Sequence, residues 1–114
     1  MSWYIAKIVF QINDKGKPKP QFDERLLLIE AENFEDGFLK ARTLGINAED
    51  SVIRQNHGPV KWEFVNVVEL RDIKALRDGL EIHSQVREME ETNHYINYVH
   101  RRAANMQLTA RLNF

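Results

Sequence analysis

Residues able to carry chemistry are thinly spread along this chain. There is no cysteine, which removes thiol nucleophiles, thiolate metal sites and disulfides together. Ser51 and Ser84 stand outside any G-x-S-x-G context, and Ser84 reads as a small packing residue on an inward strand face. Glu91 and His94 have the i, i+3 spacing of a helical carboxylate–histidine pair. Such a pair builds a di-iron site only with a second pair and two further Glu on a four-helix bundle. His57, His83 and His100 form no H-x-x-x-H pair and read as surface residues. The five glycines stand singly, without a G-x-G-x-x-G or Walker pattern, so the familiar nucleotide loops are absent. No catalytic residue, metal or cofactor is expected.

Lys7 stands apart from this picture, because it puts a cation inside an otherwise apolar strand. Its plain reading is a side chain that snorkels to water from a partly exposed face. A sharper one is an ion pair with an acidic side chain of the neighbouring strand, or a contact to an anionic ligand. Trp3 and Trp62 would line such a pocket, since pockets are mostly apolar with a few placed polar groups. The candidate binding set is Lys7, Glu24, Trp62 and Glu81, a cation and two carboxylates carried by different strands.

Charge sets wider bounds. The 16 Lys and Arg nearly balance 17 Asp and Glu, so no overall field favours nucleic acid or an anionic membrane. Lys15, Lys17 and Lys19 cluster in one loop, and residues 92–114 carry Arg101, Arg102 and Arg111 with no acidic residue. Neither patch comes with an aromatic RNA motif or a recognition-helix pattern, so nucleic acid is not expected as a partner. No stretch approaches the roughly 20 apolar residues of a membrane helix. The apolar start lacks a basic leader and a small-residue cleavage site, and the cytoplasm is the default location.

The elements that must position these residues follow from periodicity. Residues 3–12 alternate as a strand, with Tyr4, Ala6, Ile8, Phe10 and Ile12 on one face and Trp3, Ile5, Lys7, Val9 and Gln11 on the other. Asn13–Pro20 is a loop rich in Lys, Pro and Gly, and a second strand over about 21–31 closes a hairpin. Pairing Asn13 near Gln21 would set Ile8 against Leu26 and Ala6 against Leu28. A helix follows, capped by Asn33, with Phe34, Phe38, Ala41 and Leu44 as its packing stripe and Gly45 as its stop. Gly37 inside it suggests close approach to the sheet.

Further on, residues 51–55 read as a short strand and Asn56–Pro59 as a turn. The strand 60–70 presents Val60, Trp62, Phe64, Val68 and Leu70 on one face. It is either covered on both faces or bulged near Asn66. Asp72–Arg77 reads as one helical turn closed by Asp78-Gly79, and Leu80–Glu88 alternates as a further strand. From Thr92 the chain reads as a helix with a seam of Ile96, Val99, Ala103, Met106 and Ala110, spaced three and four apart.

The motifs Trp3-Tyr4-x-Ala6-Lys7, Gln21-Phe22-Asp23-Glu24, Val60-x-Trp62-x-Phe64 and Asp78-Gly79-x-Glu81 with Ser84 carry a resemblance. Together they make the chain resemble a bacterial domain-of-unknown-function family of small proteins. The resemblance spans nearly the whole chain in order and implies a compact α+β domain, but it supplies no reaction, cofactor or catalytic residue. The long basic C-terminal helix departs from it.

The expectation is therefore one α+β domain over 1–114, in the order β-β-α-β-β-β-α. Four to five antiparallel strands would form the sheet, helices would pack on one face, and residues 92–114 would form the last helix. Two functions fit. One is a non-enzymatic interaction module that self-associates as a homodimer, with Ile96, Val99, Ala103, Met106 and Ala110 at its interface. The alternative is a small-molecule, anionic-ligand or enzymatic domain with a pocket near Lys7 and Trp62.

Overall fold

The computed structural model describes residues 1–54 and 58–112. Six elements follow one another: β1 (Ser2–Asn13), β2 (Gln21–Ala31), α1 (Phe34–Asn47), β3 (Asp50–Arg54), β4 (Gly58–Ile73) and α2 (Thr92–Leu112). The fold is α+β, a four-stranded antiparallel sheet with two helices. The strands lie in the order β2-β1-β4-β3. Hairpins join β1 to β2 and β3 to β4, while α1 carries the chain from one edge of the sheet to the other. Contacts divide the chain into two compact units, residues 1–82 and residues 83–114.

The register of the first hairpin differs by one residue from the sequence expectation. Ile12, not Asn13, meets Gln21, so Ile8 pairs with Arg25 and Ala6 with Leu27. The shift exchanges the faces of β2. Leu27, Ile29 and Ala31 now lie beside Tyr4, Ala6 and Ile8 on the buried face, while Phe22, Leu26 and Leu28 stay exposed on the other. Asp23 and Arg25 then fall on the buried side, where they pair at 2.8 Å and Arg25 stacks 4.5 Å above the Phe10 ring. That ion pair and cation–π contact let two polar residues occupy a face that apolar patterning alone would deny them.

Strand β4 changes face twice. Its pairing with β1 skips a residue after Lys7 and again after Val9, which leaves Val68 and Val65 as extra residues on either side of Asn66. The bulge expected near Asn66 is thus double. Its effect is that Trp62, Phe64, Val67 and Leu70, rather than Val68, share the buried side, and Val68 is exposed.

Helix α1 covers that side, and the Asn33 side chain accepts the Asp36 amide at its start. Its buried residues are Gly37, Ala41 and Gly45, while Phe34 and Leu44 of the expected stripe are exposed. Small residues at i, i+4 and i+8 bring the helix backbone down onto the sheet. Gly45 does not stop the helix; the cap is Ala48. A Cβ at Gly45 would collide with the Phe64 ring, so glycine here answers to space and not to backbone twist. The core beneath is Ala6, Ile29 and Ala41 with Leu27, Val67 and Leu70 packed against it.

Past β4 two expectations fail. Residues 72–77 form no helical turn: β4 runs to Ile73, and the chain bends at Asp78-Gly79, where Gly79 has φ 82. Leu80–Glu88 forms no strand either, and Ile82 and Val86 are exposed. The element order is therefore β-β-α-β-β-α. Of the turn expected at Asn56–Pro59, Asn56 and His57 lie outside the described residues, and Gly58 and Pro59 belong to β4.

In the second unit α2 has 21 residues, none of them buried. Tyr95 N–H donates to the Glu91 carbonyl at its start. No helix among the described residues is long and apolar enough to cross a membrane.

Candidate functional site

Because β1 alternates, the residues opposite α1's side form a second face: Trp3, Ile5, Lys7, Val9 and Gln11 on β1, with Phe22, Glu24, Leu26 and Leu28 on β2. Arg71 and Ile73 of β4 stand beside Ile5 and Trp3 on the same face. No helix of the sheet unit covers it. Instead the irregular strap 74–82 folds beneath one end, and the Arg71 guanidinium donates to the Ile82 carbonyl. Ile5 and Ile73 are buried there, but Leu26, Leu28, Leu76 and Ile82 are 44%, 54%, 59% and 54% exposed.

Between strap and sheet runs an apolar groove of ≈ 220 Å³, lined by Ile5, Leu26, Leu28, Ile73, Leu76 and Ile82. Branched aliphatic side chains stand on two sides of it, and no titratable residue lines it.

Lys7 lies on this open face. Its Nζ stands 3.5 Å from Oε1 of Glu24, the diagonal neighbour on β2, and its cross-strand partner on β4 is Glu69. The ammonium is thus matched by the neighbouring strand. The other two members of the candidate set go elsewhere. Trp62 pairs with Ile12 and so faces the α1 side, lining an open groove of ≈ 710 Å³ with Glu49, Asp50, Ser51, Lys61 and Phe64. Glu81 sits on the strap, beside a ≈ 340 Å³ depression shared with Arg71, Lys74 and Arg77. The fold joins Lys7 to Glu24 and keeps Trp62 on the opposite side of the sheet.

Other candidate groups stay dispersed. His83, His94 and His100 are exposed, and among the described residues no three His, Asp or Glu side chains are placed to hold a metal ion. On α2 the seam residues Ile96, Val99 and Met106 are 45%, 43% and 66% exposed. Sequence reasoning missed the Leu26–Leu28–Leu76–Ile82 groove. The signal was present as three consecutive leucines in β2, an excess of apolar residues for a strand with only one face buried.

No curated protein and no solved structure matches the chain. One family does: the family described as a domain of unknown function (DUF4288) matches residues 3–84. That span takes in all four strands, α1 and the strap with its groove, and it ends before α2. With well over half of its residues matched, the chain belongs to the DUF4288 family.

Proposed function

We propose that this chain is a non-enzymatic interaction module that receives apolar side chains of a protein partner on the open face of its sheet. The observation carrying this reading is the aliphatic groove between β2 and the strap, with Leu26, Leu28, Leu76 and Ile82 all exposed around it. The groove's size suits a few adjacent aliphatic or aromatic side chains, as presented by an amphipathic helix or an alternating strand. The Lys7–Glu24 pair on one side and the Arg71, Lys74, Arg77 and Glu81 depression on the other form a charged border. An apolar centre with a polar rim is the usual anatomy of a protein–protein contact. Self-association is included in this reading, with a second copy as one of the partners the groove would take.

A photo-crosslinking amino acid at Leu28, compared with the same group at exposed Lys15, tests the reading in cells that naturally make the chain. We expect a discrete protein adduct from position 28 and none from position 15, with the adduct lost in an Ile82→Asp background. An adduct of twice the chain mass identifies a second copy; any other discrete mass identifies a different partner. Equal labelling from both positions, or none from position 28, would overturn the proposal.

A further inference from the structure

Helix α2 lies outside the family match and raises a separate question. A helix of 21 residues with no buried side chain lacks the packing of an amphipathic face that supplies most of the stability of helices in proteins. Its seam shows what is missing. Ile96, Val99, Ala103, Met106 and Ala110 follow the alternating three- and four-residue spacing of heptad positions a and d. The positions flanking that seam hold Tyr95, His100, Arg102, Gln107 and Thr109, so a single permanent charge borders it. Arg102 is also drawn off the seam, because its Nη1 lies 3.2 Å from the Tyr98 hydroxyl and its guanidinium packs on that ring.

We infer that α2 pairs with α2 of a second copy, and that the two helices run antiparallel. This goes beyond the groove proposed above and uses a different surface. Charge distribution selects the partner and the orientation. The helix contains no acidic residue, Glu88, Glu90 and Glu91 stand immediately before it, and Arg111 occupies its last turn. A parallel pair would bring two carboxylate clusters together at one end and align the two helix dipoles. An antiparallel pair does the opposite. Setting Val99 against Ala103 of the second copy places Ile96 against Met106 and Thr92 against Ala110, and brings the end that follows Glu88, Glu90 and Glu91 level with Arg111, at both ends by symmetry. Ile96 and Met106 then fill the seam on either side of a closer contact between Val99 and Ala103, the positive pole of each helix lies beside the negative pole of the other, and Arg111 of one copy lies at the same end as the carboxylate cluster of the other. The alanines make the seam shallow, so the dimer forms reversibly.

The absence of native cysteine allows a clean test on the full chain. Under mild oxidation, Thr92→Cys with Ala110→Cys in the same chain should give a disulfide-linked dimer, while Ala110→Cys alone should not. Sedimentation of the cysteine-free chain at high micromolar concentration should show a reversible dimer, weakened by more than about tenfold in Val99→Asp, which puts a charge in the seam. The inference is overturned by a monomer at high concentration, by a dimer indifferent to Val99→Asp, or by efficient linking through Ala110→Cys alone. A dimer that Val99→Asp leaves intact but Leu28→Ser abolishes would assign self-association to the groove instead.

Discussion

The two faces of the sheet use the same strand to opposite ends. On one, Ala6 and Phe10 of β1 are fully buried beneath the Gly37–Ala41–Gly45 stripe of α1. On the other, Ile5 and Lys7 share a surface with Leu26 and Leu28, which stay open to water. The difference lies in what each face meets. A helix with small residues along its contact stripe seals the first with well-packed aromatic and aliphatic side chains. The second receives only an irregular strap, held by Arg71 on the Ile82 carbonyl. Stability should therefore reside on the first face and recognition on the second.

Substitutions can break that contrast in order of size. Phe10→Ala removes the largest fully buried side chain, its edge contact with Phe64 and its stack with Arg25, and should destabilise by about 3–5 kcal/mol. Chemical denaturation measures it. Gly45→Ala forces a methyl group against the Phe64 ring and should cost about 1–3 kcal/mol. The informative control is Gly37→Ala, where a Cβ would stand 3.4 Å from Tyr4. There the ordinary gain of up to about 1 kcal/mol for Gly to Ala in a helix should survive, so the two glycines should respond with opposite signs.

Smaller effects belong to the open face. Because Lys7 is largely shielded while Glu24 is 60% exposed, a double-mutant cycle between Lys7→Met and Glu24→Gln should give only about 0.2–1 kcal/mol, falling as salt is raised. Leu28→Ser should shift stability by within about 0.5 kcal/mol, as surface changes do. A loss comparable with that of Phe10→Ala would mean that this face is core, and the contrast would collapse.

Much of the architecture is legible in the sequence, and the failures have physical causes. Alternation in β1 and the Asn33 cap are local signals, and the structure follows both. Strand β2 misleads because Leu26, Leu27, Leu28 and Ile29 are apolar at both parities, so the pattern fixes no register. Asp23 and Arg25 look like solvent residues until their mutual bond and the Phe10 ring are seen. On α1 the contact stripe is made of glycine and alanine, which hydrophobicity cannot mark. Leu80–Glu88 alternates like a strand without pairing in the sheet, whose order ends at β2 and β3. The Lys7–Glu24 pair could be anticipated from neighbouring strands. The separation of Trp62 from Lys7 depends on β1–β4 pairing, which joins distant parts of the chain and leaves no local trace.

If the open face binds a partner and contributes little to the fold, both properties can be read in one experiment: a photo-crosslinker at Leu76 in the Leu26→Ser, Leu28→Ser double variant, with adduct yield measured beside the melting temperature. The adduct formed in the parent chain should disappear while the melting temperature holds. An unchanged adduct, or a melting temperature that falls as far as for Phe10→Ala, would contradict that division of roles.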